Sequence, residues 1–168
     1  MYLYHLVPPR FLGWEIIPLN FLKRIDFEMY KKYFNMYAGR ENVTKENIPL
    51  LDCMWGDAIF LTAVAPQTWR KVFDELGYPT GKLSYFQIQP EILRLSASAV
   101  LDYDENGNKI YKWFDPHNLP DYSTIREATL SYYRQAHKSA EPIFWHHLVP
   151  QILYRGTLNI SGTPIVEV

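Results

Sequence analysis

The chain has 168 residues and a single cysteine, Cys53, so no internal disulfide forms and no cysteine-rich metal cluster can be built. It has almost no net charge: 17 Lys and Arg stand against 18 Asp and Glu. That balance removes the broad positive field on which a non-specific nucleic-acid binder or a membrane-surface protein relies, and leaves only a local basic pocket. No run of about 18 apolar residues is present, and the opening MYLYHLVPPRF has no basic stretch leading into an apolar one. Neither a membrane-spanning helix nor a signal peptide is expected, and the expected location is cytoplasmic with no membrane partner. No repeat, low-complexity tract or Gly/Ser linker divides the chain, so residues 1–168 are expected to form a single domain. The GxSxG elbow, the GxxxxGKS/T loop, HExxH and GxGxxG are all missing, which excludes the reactions those motifs announce.

What the chain has in abundance is aromatic residues, 16% of the total, as 13 Tyr, 9 Phe and 5 Trp. Each ring can bury roughly 150–250 Å², and Tyr and Trp add a polar tip. Two explanations follow: a small core filled with large pieces, or a pocket walled with rings for a flat ligand such as a base or a nicotinamide.

Periodicity gives the elements. Tyr2–Val7 is a β-rich run stopped by Pro8 and Pro9. After a loop through Gly13, Pro18 and Asn20, Phe27, Tyr30, Phe34 and Tyr37 recur every three or four residues, predicting an amphipathic helix from Asp26 to Ala38 with Asp26 as its cap and Gly39 as its stop. Trp69, Val72, Phe73 and Leu76 make a second helical stripe, with Pro66 in its first turn and Gly77 at its end. Ala58–Val64 and Leu83–Gln89 read as strands, the latter with Phe86 and Ile88 on one face. Asn106-Gly107 turns Ala99–Tyr103 back onto Lys109–Trp113 as a hairpin. That hairpin begins like a calcium loop but places Trp113 where a bidentate Glu is required. Thr124 and Glu127 form a capping-box pair opening a third helix, with Ile125, Ala128, Tyr132 and Ala136 on one side and a stop before Pro142. Alternation returns from Ile152 to Ile160, and Pro164–Val168 adds a last strand. The expectation is an α+β domain with a mixed or mostly antiparallel, split sheet and about three helices.

Few residues present themselves for chemistry. Cys53 sits in the apolar stretch Leu51-Asp-Cys-Met-Trp55, where a thiol is usually buried and inert. The five histidines share no ligand spacing with each other or with Cys53, and the neighbours His146 and His147 would point to opposite faces of a strand, so no metal is expected. The remaining candidates are His5 in the first strand, Arg40 after the first helix, Thr62 in a middle strand, and a polar group of Glu141, His146, His147 and Gln151 near the end. Trp55 with Asp57 reads either as a pocket wall or as an ordinary turn beside Gly56. His5 could equally be a hydrogen-bonded core residue, and Arg40 a surface ion-pairing residue or a contact to the helix end before it.

The order of these features resembles the ADP-ribosyltransferases of the DarT and RNA 2′-phosphotransferase kind. The matching features are an early Leu-Tyr-His strand, Gly13 and the Ile16-Ile-Pro-Leu19 segment, then an Arg, a strand ending in a hydroxyl, and a strand-rich tail. The resemblance covers about two thirds of the chain. It implies a split α+β fold with NAD held in a cleft between two small sheets, His5 orienting the ribose next to nicotinamide, Thr62 at the middle-strand position and Arg40 on a phosphate. Such a transferase stabilises an oxocarbenium-like sugar with a late carboxylate. Here Glu141 is the candidate, and the strand expected to carry the carboxylate offers His147 and Gln151 in its place. The expected ligand is a nucleotide-type small molecule, and the acceptor a protein or nucleic acid. The competing expectations are a non-catalytic protein-interaction domain whose surplus rings form a binding face, and a single-strand nucleic-acid binder, against which the neutral charge argues.

Overall fold

The computed structural model describes residues 1–8, 11, 13–139, 141 and 143–168. Pro9 and Pro142, read as stops in the sequence, lie outside them. Among the described residues the fold is α+β, with antiparallel sheets and four α-helices joined by short 3-10 turns.

Strand β1 (Leu3–Leu6) is the hinge piece of the architecture. On one side it pairs with β6 (Ser84–Ile88), placing His5 opposite Phe86, and β6 in turn pairs with the last strand, β11 (Ile165–Glu167). On its other side β1 touches the end of β5 (Ala58–Leu61) through a single bridge. Tyr4 N–H donates to the Thr62 carbonyl at 2.8 Å, and Thr62 N–H donates back to Tyr4 at 3.0 Å. β5 is the edge of a four-stranded sheet in the order β5, β9 (Gln151–Arg155), β7 (Ser98–Tyr103), β8 (Lys109–Trp113). Two small antiparallel sheets are thus joined by one pair of residues.

The two-residue periodicity of the strands divides the core. Ile59, Leu61, Val100, Ile152 and Tyr154 face one side and join Leu3, Phe86 and Ile88 of the smaller sheet. Ala58, Ala99, Leu101 and Leu153 face the other, where Ile48, Leu51 and Cys53 cover them. Each fully buried Leu or Ile contributes about 1.5–3 kcal/mol. A third cluster packs helix α3 (Pro66–Glu75) on helix α4 (Glu127–Lys138) through Trp69, Phe73 and Tyr133, closed by Val64 and Val149.

Local signals held where the chain needs no distant partner. Pro66 opens α3 and Gly77, at φ +73°, ends it. The hairpin forms with Gly107 at φ +81°. Its Asp104 carboxylate accepts from the backbone of Asn106 and Asn108 and from the Asn108 amide, each at 2.8 Å, so the acid serves the turn.

Three expectations need correction. The segment around Pro18 and Asn20 is a helix, α1 (Leu19–Ile25), and the Asp26–Ala38 helix is a shorter one, α2 (Phe27–Phe34), continued by a 3-10 turn. Asp26 does cap α2, accepting from Met29 N–H at 2.9 Å. The Thr124–Glu127 box does not form, because α4 begins only at Glu127, with Arg126 at its cap. That later start turns Thr129, Tyr133 and Ala136 inward and leaves Ala128 exposed. Asp102, the first position of the calcium-like pattern, is buried and holds Arg126 at 2.7 Å and Lys112 at 3.1 Å, which anchors the start of α4 to β7.

Candidate functional site

The bridge between the sheets brings one group of sequence-distant residues together. β1 carries His5 past the end of β5, where Thr62 and the start of β9 lie side by side. Gln151, buried, comes one register step after the Leu61–Ile152 pair, next to Thr62. The chain leading into β9 makes a turn over 145–148, with Leu148 at φ 57°. Helix α4 fastens that turn with three hydroxyls, those of Tyr132 and Tyr133 lying one helical turn beyond that of Thr129. Thr129 donates to the His147 carbonyl at 3.0 Å, Tyr133 donates to the Trp145 carbonyl, and the Tyr132 hydroxyl accepts from Phe144 N–H at 3.1 Å.

The turn separates the two adjacent histidines. They are not on a strand, as the sequence suggested, and it is His146 that faces inward. Its ring meets Trp69 edge-to-face at 5.3 Å. His147 lies on the Tyr132 ring at 4.0 Å, where burial pushes its pKa down. His146 therefore packs inward on Trp69, whereas His147, the sequence candidate, rests on Tyr132. The sequence marks both rings equally, and only the turn tells them apart.

Burial pushes the pKa of His5 down to about 4, against a hydrogen bond with the Leu6 carbonyl. His146 is likewise pushed to about 4, by burial first and then by His5. Both are neutral at pH 7. His5 Nδ1 lies 2.8 Å from the Leu6 carbonyl, which can only accept, so Nδ1 carries the proton and Nε2 is left as an acceptor. His146 Nδ1 is buried with no hydrogen-bond partner, and so is Nε1 of the touching Trp69. An indole N–H donor and an imidazole nitrogen, both unsatisfied, fit a small polar group that can donate and accept, such as a carboxamide, a hydroxyl or a water.

Arg40 packs on the chain just before that turn. Its guanidinium sits 4.2 Å from the Phe144 ring centroid and 5.5 Å from that of Tyr37, and it makes no ion pair among the described residues. Glu141 is exposed just beyond α4, its N–H bonded to the Ala136 carbonyl at 2.9 Å, five residues before His146. The Thr62 oxygen accepts from Val64 N–H at 3.1 Å, so the hydroxyl serves the chain's exit from β5.

Trp55 and Asp57 are not brought to this group. They stand at the opposite end of β5 from Thr62, a separation of about 16 Å along an extended strand. Asp57 accepts from the Asn20 amide at 2.8 Å and from Met54 N–H at 3.0 Å, tying α1 to the start of β5. A side chain at Gly56 would meet Asn20 at 2.7 Å, which explains the glycine. Trp55 packs on Phe60 at 4.5 Å beneath Lys109. Both residues build the fold.

The ring-walled cleft is also corrected. Trp69, Phe73 and Tyr133 pack on one another and fill the space between α3 and α4. A groove of about 380 Å³ is bordered by Thr68, Lys71, Val72, Glu75, Thr124 and Ile125, and none of the sequence-predicted site residues lines it. The thiol of Cys53 is buried and its pKa is pushed up, chiefly by burial, in keeping with an inert residue. Among the described residues no group of three or more His, Cys, Asp or Glu could hold a metal ion, and no helix is long and apolar enough to cross a membrane. In comparisons with protein-family models, curated proteins and solved structures, the chain matches none. The fold is α+β, with His5 on the strand that joins its two sheets and His146 in the turn before β9.

Proposed function

We propose that this protein binds a nicotinamide dinucleotide at the junction of its two sheets and transfers the ADP-ribosyl group from it. The reading rests on the order of sequence features and on one observation, the Tyr4–Thr62 bridge that sets the strand carrying His5 against the end of β5. Neutral His5 offers Nε2 as an acceptor for a ribose hydroxyl. Arg40, with no ion pair among the described residues, offers a cation to a phosphate. In the reaction the bond between ribose C1′ and the nicotinamide nitrogen breaks, and its electron pair leaves with nicotinamide. An acceptor nucleophile of a protein or nucleic acid then bonds to C1′ and gives up its proton to solvent. Glu141 is the carboxylate nearest in sequence to the turn and the candidate for stabilising the positive sugar.

Thermal denaturation with NAD, with ADP-ribose and with no ligand tests the reading. At about 100 times the dissociation constant, ligand adds about 2.7 kcal/mol, or roughly 5–10 °C for a chain of this size. The shift should vanish in His5→Ala. No shift with either compound at millimolar concentration would overturn the proposal.

A further inference from the structure

The four-stranded sheet ends differently on its two sides. β5 meets β1 at the Tyr4–Thr62 bridge, whereas β8 has β7 on one side and no strand on the other among the described residues. The ladder decides which backbone groups of β8 are left over. Phe114 N–H donates to the Ser98 carbonyl at 3.3 Å, and Asp104 N–H donates to the Asn108 carbonyl at 3.0 Å. Antiparallel alternation then turns Ile110 and Lys112 toward β7 as well, and turns the N–H and C=O of Lys109, Tyr111 and Trp113 away from it. These outward groups have no backbone partner among the described residues.

An edge of this kind is usually defended by a proline, a bulge or a free charge. β8 reads Lys-Ile-Tyr-Lys-Trp and pairs with β7 without interruption from Lys109 to Trp113. Both of its charges are neutralised within the chain, Lys109 by Glu46 and Lys112 by Asp102 at 3.1 Å. Trp113, at the end of the strand, is 56% exposed.

The strand is also complementary to itself. When two copies run antiparallel about a two-fold axis at Tyr111, the three outward residues of one face the three of the other, and each facing pair exchanges two hydrogen bonds. Any other antiparallel register leaves at least one of the three without a partner in the opposing strand. Centred on Tyr111, Lys109 of each copy lies opposite Trp113 of the other, and Ile110 lies opposite Lys112. No like charges meet, and a lysine side chain covers each exposed indole.

We propose that the protein forms a two-fold dimer by edge-to-edge pairing of β8, which joins two four-stranded sheets into one. None of these residues belongs to the candidate site, so the dimer is independent of the dinucleotide reading and its test contains no nucleotide.

The test is sedimentation equilibrium of the full chain from micromolar to millimolar concentration. A contact of one strand per copy is small, so monomer and dimer should interchange within that range. Tyr111→Pro removes an outward N–H and no bond to β7, and Trp113→Lys removes the indole and faces Lys109 with a like charge. Each should weaken dimerisation at least about tenfold, and Trp113→Lys, at an exposed position, should melt with the unmodified protein. Cross-linking reads the register. In Tyr111→Cys the two thiols face each other across a pair about 5.5 Å apart at Cα, within disulfide reach. In Trp113→Cys they lie about 14 Å apart along the strands. Mild oxidation should join the first variant and leave the second unjoined. Three results would each overturn the proposal: a chain monomeric at every concentration, which would leave the edge to a strand of another protein, undiminished dimerisation of Trp113→Lys, or equal cross-linking of the two cysteine variants.

Discussion

In α3 and α4, Trp69, Phe73 and Tyr133 are at most 1% exposed, whereas α2, with rings at the same spacing, leaves Phe27 51% exposed and buries nothing. The two helical regions carry the same one-sided pattern. They differ in what the chain brings to them. α3 leaves the end of β5 directly and meets α4, which Asp102 anchors to β7 through Arg126, so each covers the stripe of the other. α1 and α2 lie between β2 (Glu15–Ile16) and the short hairpin of β3 (Asn47–Ile48) and β4 (Cys53–Met54), and among the described residues they pack on each other, leaving Tyr30 and Phe34 half-buried and Phe27 exposed. A helical period states that a stripe is there. Whether it is core or surface depends on the partner that the topology supplies.

Substitution at equivalent ring positions gives the widest separation. Trp69→Ala should cost about 3–5 kcal/mol in urea unfolding through the cavity it leaves. Phe27→Ala should stay within about 0.5 kcal/mol, and equal losses at the two sites would erase the contrast.

The pH dependence of stability should come next in size. His5 and His146 have folded pKa values near 4, below the unfolded value of 6.5. Between these limits the unfolded chain binds more protons, so stability rises with pH from about 4 to 6.5 and is level above that window. Each histidine should contribute roughly 2 kcal/mol to that rise. His146→Phe should flatten the curve, and a curve it leaves unaltered would mean that His146 is not held in a buried, neutral form.

Tyr133→Phe is the smallest of the three. It removes the hydroxyl that holds the Trp145 carbonyl, and about 1 kcal/mol of stability should be lost. Hydrogen exchange should speed up at the 144–148 amides more than elsewhere. Uniform acceleration would mean that α4 does not fasten the turn.

The parts of this fold legible in the sequence are those fixed by neighbours along the chain. The Pro66 start and Gly77 stop of α3, the Asp26 cap and the Asn106-Gly107 hairpin each depend on contacts within about four residues. The Thr124–Glu127 box was a plausible local signal that lost to a distant one, the pull of Asp102 on Arg126. At the candidate site, His5 and Arg40 could be singled out by residue type, but Trp55 and Asp57 looked equally eligible. Their assignment to the far end of β5 depends on strand direction and length. The hydroxyls Thr129, Tyr132 and Tyr133, which set the turn, carry no motif.

From its residues alone the chain fixed its class, its hairpin, its α3 helix and the neutrality that removes a broad nucleic-acid field. The folded structure decided that β1 sits between β6 and the end of β5, that His146 and not His147 packs on Trp69, and that no ring of α2 is fully buried. The physical reason is range. Propensity, capping and turn chemistry act over a few residues, whereas sheet order and the covering of a stripe depend on which distant segments can bury apolar surface together, and several pairings satisfy the same local pattern.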